Sequence, residues 1–189
     1  MKKSIIATGL AFITAMPLNA AAAEYIIDTK GAHASINFIV SHLGYSFTKG
    51  RFNTFSGDFT FDEKNLANSK VNVVVDTSSV DSNHAERDKH IRSADFINAN
   101  KYQKSTFNST KIIDRGDGKL DVIGDLTLHG VTKPITIEAE FIGAGSDPWG
   151  GERAGFSGQT RIELADFEIP VMGASSYVDM ELYIEGIKK

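Results

Sequence analysis

The sequence predicts an all-β protein of about eight antiparallel strands closed into a barrel, with one short helical insertion over about residues 83–97. Three observations carry this reading. Apolar and polar residues alternate with period two through most of the chain. Gly, Asn and Asp punctuate that alternation at short intervals. One stretch, Ser82–Phe107, does not alternate at all.

The N-terminus stands apart from the fold. Lys2 and Lys3 precede an apolar run from Ile5 to Leu18, and small residues follow from Ala20 to Ala23. This is the pattern of a secretory signal peptide, residues 1–22, with cleavage expected after Ala22 or Ala23. The run falls short of the ~20 residues of a membrane span, and there is no Cys to carry a lipid anchor. Residues 23–189 read as one domain, because no repeat, low-complexity tract or linker divides them.

The strands follow in order. Tyr25–Asp28 opens the fold. Ala34–His42 puts Ile36, Phe38 and Val40 on one face and Ser35, Asn37 and Ser41 on the other, with Ile39 interrupting the polar face and Gly44 marking a turn. Phe47–Asp62 is long and aromatic. Phe52 and Phe55 are three apart, which requires a bulge or kink with Gly57 as its partner; alternation then resumes through Phe59 and Phe61. After a polar loop, Val71, Val73 and Val75 share a face.

In the stretch that breaks the pattern, Asn83 suits a helix cap and Glu86 completes a capping box. Between Asn83 and Ser93 stand five charged side chains, two His and one large apolar residue, Ile91. Such a helix lies on a surface through a narrow apolar contact, across the end of the β structure. Beyond it, Ser105, Phe107 and Ser109 share a face, and Asp114–Gly118 reads as a hairpin turn. Leu120, Val122, Gly124, Leu126 and Leu128 form the next face, His129-Gly130 a tight turn, and Ile135, Ile137, Ala139 and Phe141 the face after that. A loop over 143–151 precedes the last strands, Phe156–Leu164 and Tyr177–Ile187. Strands this long favour a barrel over a sandwich, because closure removes exposed edges.

Charge and residue types exclude several functions. Without its signal the chain has 18 Lys and Arg against 24 Asp and Glu, a net charge of −6. That argues against nucleic acid and against charge-driven binding to anionic membranes. With no Cys, thiol catalysis and thiolate metal sites are ruled out. The chain has no Gly-x-Ser-x-Gly elbow, phosphate loop or His-Glu-x-x-His helix. His84 and Asp88 would share a helical face, but two ligands are too few for a metal site. Arg87, His90 and Arg92, with Lys89, either pair on the surface with Glu86, Asp88 and Asp95 or meet an anionic head group at a barrel mouth. An eight-stranded barrel has room for side chains or for one slim ligand. The alternating Phe residues suit a packed core and an apolar tunnel equally, because both face inward.

Several segments together resemble the YceI-like family of periplasmic, lipocalin-like polyisoprenoid-binding proteins. They are His42-Leu43-Gly44-Tyr45-Ser46, the Gly50–Asp62 strand, Glu86–Phe96, Gly124–Pro134 and Asp147–Phe156. The resemblance spans essentially the whole chain. It departs at Gln103, where the family often has Pro, and at Glu168, where it often has Gly after Asp166-Phe167. It implies an extended eight-stranded lipocalin-like barrel with a long isoprenoid or similar amphiphile threaded inside, an isoprenoid quinone or prenyl phosphate among the candidates. Each buried methylene contributes about 0.8 kcal/mol, so such a tail can be held without charged contacts.

Combined with alternation, this barrel assigns Phe38, Val40, Phe52, Phe59, Phe61, Val73, Val75, Phe107, Leu126, Leu128 and Ile137 to the lipid-lined interior, with Ile91 of the helical stretch. His42, Arg87, His90 and Arg92 fall to the head group. The expected role is a periplasmic carrier or storage protein for the lipid, without catalytic residues, metal or cofactor. A structural or stress-related module with a packed core and a binder of fatty-acid-type lipids are the alternatives, and the oligomeric state is open between monomer and homodimer.

Overall fold

A computed structural model describes residues 22–171 and 175–189; all but the last residue of the expected signal segment lies outside the described residues. The strands are β1 (Ala23–Ile27), β2 (Ser35–His42), β3 (Ser46–Phe52), β4 (Phe55–Phe61), β5 (Lys70–Asp76), β6 (Val80–Asp81), β7 (Lys104–Gly116), β8 (Lys119–Leu128), β9 (Val131–Ser146), β10 (Glu152–Glu163) and β11 (Tyr177–Lys188). One α-helix, α1 (Ala85–Arg92), lies between β6 and β7.

These strands form eight staves. β1 and β2 run one after the other along β11, through Tyr25↔Lys188 and then Ser35↔Tyr183 to Val40↔Val178. β4 and β3 pair with them in the same succession, and β5 and β6 follow on the next stave. From β7 to β11 each strand pairs antiparallel with the next, and β1 closes the ring by bonding both β4 and β11. The result is a closed eight-stranded antiparallel barrel.

Local chemistry explains the punctuation. Asp117-Gly118 and His129-Gly130 both adopt left-handed φ, +53 and +77, +52 and +79. That is the two-residue turn whose twist matches flanking strands. The expected kink between Phe52 and Phe55 falls at Asn53-Thr54. There Asn53 N donates to Ser79 O at 3.0 Å, and Thr54 N to Ser79 Oγ at 3.0 Å. The 3-10 turn Thr77–Ser79 interrupts the neighbouring stave at the same level. Gly57 is not part of that kink. It lies within β4, where a Cβ would stand 2.4 Å from Asn72 O and 2.8 Å from Ile27 Cδ1.

The helix is shorter than the sequence suggests and its cap lies one residue later. Asn83 sits at φ +62, outside the helix; His84 is the cap, its Nδ1 accepting from Arg87 N at 3.2 Å. The reason is tertiary. Asp88 is buried, and its Oδ1 accepts from Ser82 N at 2.8 Å and Ser82 Oγ at 2.5 Å, which fixes the start of the first turn. Glu168, at the position where the resemblance calls for Gly, takes φ +54 as it ends the 3-10 turn Leu164–Phe167.

Two regions of the interior differ. At one end Tyr25, Phe59, Phe61, Phe141 and Phe156 form a packed aromatic cluster, with Tyr25 stacked on Phe59 at 4.8 Å and Phe156 edge-on to Phe59 at 5.5 Å and to Phe61 at 5.0 Å. At the other end Ile162, Leu164, Phe167 and Ile169 are buried beneath the Leu164–Phe167 turn.

Candidate functional site: an apolar cavity along the barrel axis

Between those regions the barrel is hollow. A cavity of about 610 Å³ runs along the axis. On β11 it is lined by Val178, Met180, Leu182 and Ile184, the inward set of a period-two strand. At about 3.3 Å per residue those six steps span roughly 20 Å, somewhat more than one leaflet of a bilayer core about 30 Å thick. Many of these inward side chains are only half-buried, because the surface they line is itself open.

Of the residues assigned to the interior, Phe38, Val40, Phe52, Phe59, Val73, Val75, Ile91, Phe107, Leu126, Leu128 and Ile137 all lie on the cavity wall. Phe61 does not. Its ring packs against Phe141 at 5.1 Å and Phe156 at 5.0 Å, behind the far end of the cavity. Of the polar set, His42, Arg87 and His90 line the cavity, whereas Arg92 turns to the wall and donates to Val80 O at 3.3 Å.

The large rings leave the bore open because glycines receive them. A Cβ on Gly50 would lie 2.3 Å from Phe38 Cζ, and one on Gly124 would lie 2.5 Å from Phe107 Cζ. The tip of each ring occupies the space that a Cβ would fill, so any other residue there would displace it.

Five exposed residues reach the lining, and four of them, His42, Leu43, Arg87 and His90, belong to the β2–β3 hairpin and α1. They mark the mouth; the fifth, Lys70, begins β5. Arg87 is held by Ser82, donating from Nε to Oγ at 2.7 Å and from Nη2 to the carbonyl at 2.6 Å. His90 stands edge-on to Phe96 at 4.7 Å, with Nε2 3.8 Å from Asp95. Among the described residues, the lining includes no carboxylate. Its hydroxyls are partnered where they are buried: Thr77 Oγ1 donates to Tyr102 O at 2.6 Å, and Ser105 Oγ to Thr127 O at 2.8 Å. The chemistry offered is an apolar bore with cationic and imidazole groups at its entrance.

The sequence reading overlooked Ile36, Ile135, Phe156, Ile162 and the β11 set as lining residues. The signal was present in β11, whose Val178-Met180-Leu182-Ile184 alternation equals that of β2. It also overlooked the Ser82–Asp88 clamp, for which spacing gives no cue.

A second polar cluster lies on the outer wall near the aromatic end. Arg153 Nη1 bonds Asp28 Oδ2 at 2.8 Å and Glu185 Oε1 at 2.6 Å, and its Nε bonds Asp147 Oδ2 at 2.8 Å. His33 Nδ1 lies 3.1 Å from Asp28 Oδ2. The Arg153 hydrogen bond holds the Asp28 carboxyl at about 2, below the usual carboxylate range. Asp28, His33 and Glu185 are close enough together to hold a cation, but the guanidinium already supplies the positive charge. The cluster ties the 28–34 break in the first stave to β10 and β11.

A family model described as the YceI-like domain matches residues 25–186. The chain belongs to the YceI-like family. A UPF0312 protein of Vibrio campbellii is 80% identical over 189 residues, all of both chains. One of Shewanella baltica is 54% identical over 191 aligned positions, again all of both chains. The solved YceI-like protein of Campylobacter jejuni is 30% identical with a TM-score of 0.72, covering 79% of this chain and 90% of its own. A polyisoprenoid binding domain from Saccharophagus degradans shares the fold at 17% identity and a TM-score of 0.64, covering 89% of this chain and 99% of its own. The barrel is therefore the fold of the YceI-like family. Among the described residues, no helix is long and apolar enough to cross a membrane.

Proposed function

We propose that this YceI-like protein is a periplasmic carrier or storage protein for a long apolar amphiphile of polyisoprenoid type, bound without turnover and without metal or cofactor. The observation that carries the reading is the cavity of about 610 Å³, lined by aliphatic and aromatic side chains along roughly 20 Å and bordered by Arg87, His90 and His42 at its mouth. A tail buried there gains about 0.8 kcal/mol per methylene, so several isoprene units suffice for tight binding. The mouth imidazoles and guanidinium suit a quinone carbonyl or a phosphate. Export follows from the basic, apolar and small-residue succession over residues 1–22. The fold shared with a polyisoprenoid binding domain supports the same ligand class.

The test is mass spectrometry of an organic extract of protein purified from its native compartment without detergent. A stoichiometric prenyl lipid is expected. A straight-chain fatty acid would redirect the ligand class, and protein that stays free of lipid and refuses prenyl lipids offered in solution would refute the carrier role.

A further inference from the structure

The fold leaves an apolar edge uncovered at the cavity mouth. Among the described residues eight large hydrophobic side chains are well exposed, and three of them, Leu43, Tyr45 and Phe47, lie on the β2–β3 hairpin that borders this mouth. The hairpin tip is the extreme case: Leu43 is 54% exposed, Tyr45 87% and Phe47 67%. Its shape is fixed. Leu43 and Gly44 take φ +53 and +80, and Tyr45 N donates to His42 O at 3.0 Å. A left-handed φ at a bulky Leu is uncommon and is maintained here by the turn. Leu43 also lines the cavity, so the exposed edge is continuous with the bore.

Charge matches this placement. Residues 42–51 contain Lys49 and Arg51 and no carboxylate, in a chain whose net charge is −4. Phe47 and Lys49 are two residues apart on one strand and share its outer face. Aromatic rings followed by cations are the side chains that settle at a lipid headgroup boundary. A second copy of the chain fits less well, because three side chains on a turn cannot supply the ~1,000 Å² that a stable protein interface needs. Insertion into a bilayer requires only that a tip reach about 5–10 Å.

We propose that the β2–β3 hairpin tip, Leu43 to Phe47, docks the barrel mouth on a phospholipid bilayer at the headgroup–acyl boundary. Resting on the carrier reading, this lets an insoluble tail pass between membrane and cavity without crossing water.

The test is flotation of the protein with vesicles of phosphatidylethanolamine and phosphatidylglycerol. It compares wild type with a variant combining Tyr45→Ser and Phe47→Ser, neither of which lines the cavity. Wild type is expected to float, and the variant to lose vesicle binding by roughly tenfold or more, the scale set by burying even one such side chain. Uptake of a dansylated prenyl alcohol from the same vesicles should slow by a similar factor, while uptake of that probe from ethanol stays unchanged. Tyr45→Ser alone, which removes no packing, should lower flotation in the same direction and covers the case of a double variant that misfolds. Failure of wild type to float, or equal flotation of the variants, overturns the proposal. So does a wild-type dimer by light scattering that the variant dissolves without any vesicle binding, which assigns the tip to a second copy. Absence of probe binding from ethanol by either protein would count against the carrier reading, while flotation would still decide the docking.

Discussion

At the far end of the barrel Tyr25, Phe59, Phe61, Phe141 and Phe156 interlock with ring centroids 4.8–5.5 Å apart. Toward the mouth the same period-two pattern continues, yet about 610 Å³ stays open. What changes is side-chain size across the lumen. Five rings facing each other fill a barrel of this diameter; Val, Leu, Ile and Met do not. Phe38 and Phe107 are large but add little to the filling, because Gly50 and Gly124 leave space for their ring tips. One end of the molecule is thus a core in the ordinary sense, and the other is a binding site built with the same alphabet. The comparison yields three tests, from the largest expected effect to the smallest, and a fourth that is read along the pH axis.

Truncation should separate the halves most clearly. Phe59→Ala at the packed end is expected to lower the stability of the lipid-free protein by about 3–5 kcal/mol in denaturant unfolding. Met180→Ala in the hollow half should remove only about 1 kcal/mol, because one side of that residue already faces open space, well under the range for a packed methionine. It should instead shift the tail lengths that copurify. Equal losses at the two positions would mean that the lumen collapses in solution.

Adding a methyl gives the converse. At Gly186 a Cβ would stand 2.4 Å from Phe59 Cε1 and 2.8 Å from Tyr25 Cβ, so Gly186→Ala should destabilise by about 1–3 kcal/mol. At Gly158, on the cavity wall, the nearest atom is Ile137 Cγ2 at 3.0 Å and the next lies at 3.7 Å. Gly158→Ala should therefore stay within about 0.5 kcal/mol. Thermal melts of both variants check this pair.

Near the mouth, Glu168 occupies a left-handed position at φ +54. Glu168→Gly relieves that conformation and is expected to stabilise by about 1 kcal/mol, part of the relief being offset by the entropy of glycine. Denaturant midpoints at equal slope measure it. The fourth test, read along the pH axis, is at the Arg153 cluster. Asp28 has a folded pKa of about 2, below the ~3.9 of an unfolded Asp. Its contribution is thus complete above about pH 4 and is lost as pH falls through 2. Wild type should lose stability across that window more steeply than Asp28→Asn, as read by unfolding at a series of acid pH values.

Much of this was legible in the residues. Strand faces such as Ile36-Phe38-Val40 and Val71-Val73-Val75 follow from alternation, and the tight turn at His129-Gly130 from its composition, because both are local consequences of backbone geometry. The helical insertion was visible as a break in the pattern, but its start was not. Ser82 clamps Asp88, and that contact displaces the cap from Asn83 to His84. The site was legible as a set of inward residues and not as a space. Phe59 and Phe61 share a face in sequence, yet Phe59 borders the cavity and Phe61 is packed behind it. Arg87 and Arg92 stand on one helix, yet one reaches the mouth and the other the wall.

What the sequence determined by itself is therefore which way each strand residue faces, where the chain turns, and the family to which it belongs. Whether the inward side chains meet or leave a bore was decided only by the tertiary structure. That outcome depends on which residues of distant strands stand opposite one another. Register and closure set those pairings, as β1 with β4 and β11 and Phe38 with Gly50 illustrate, and no periodicity within a single strand contains them.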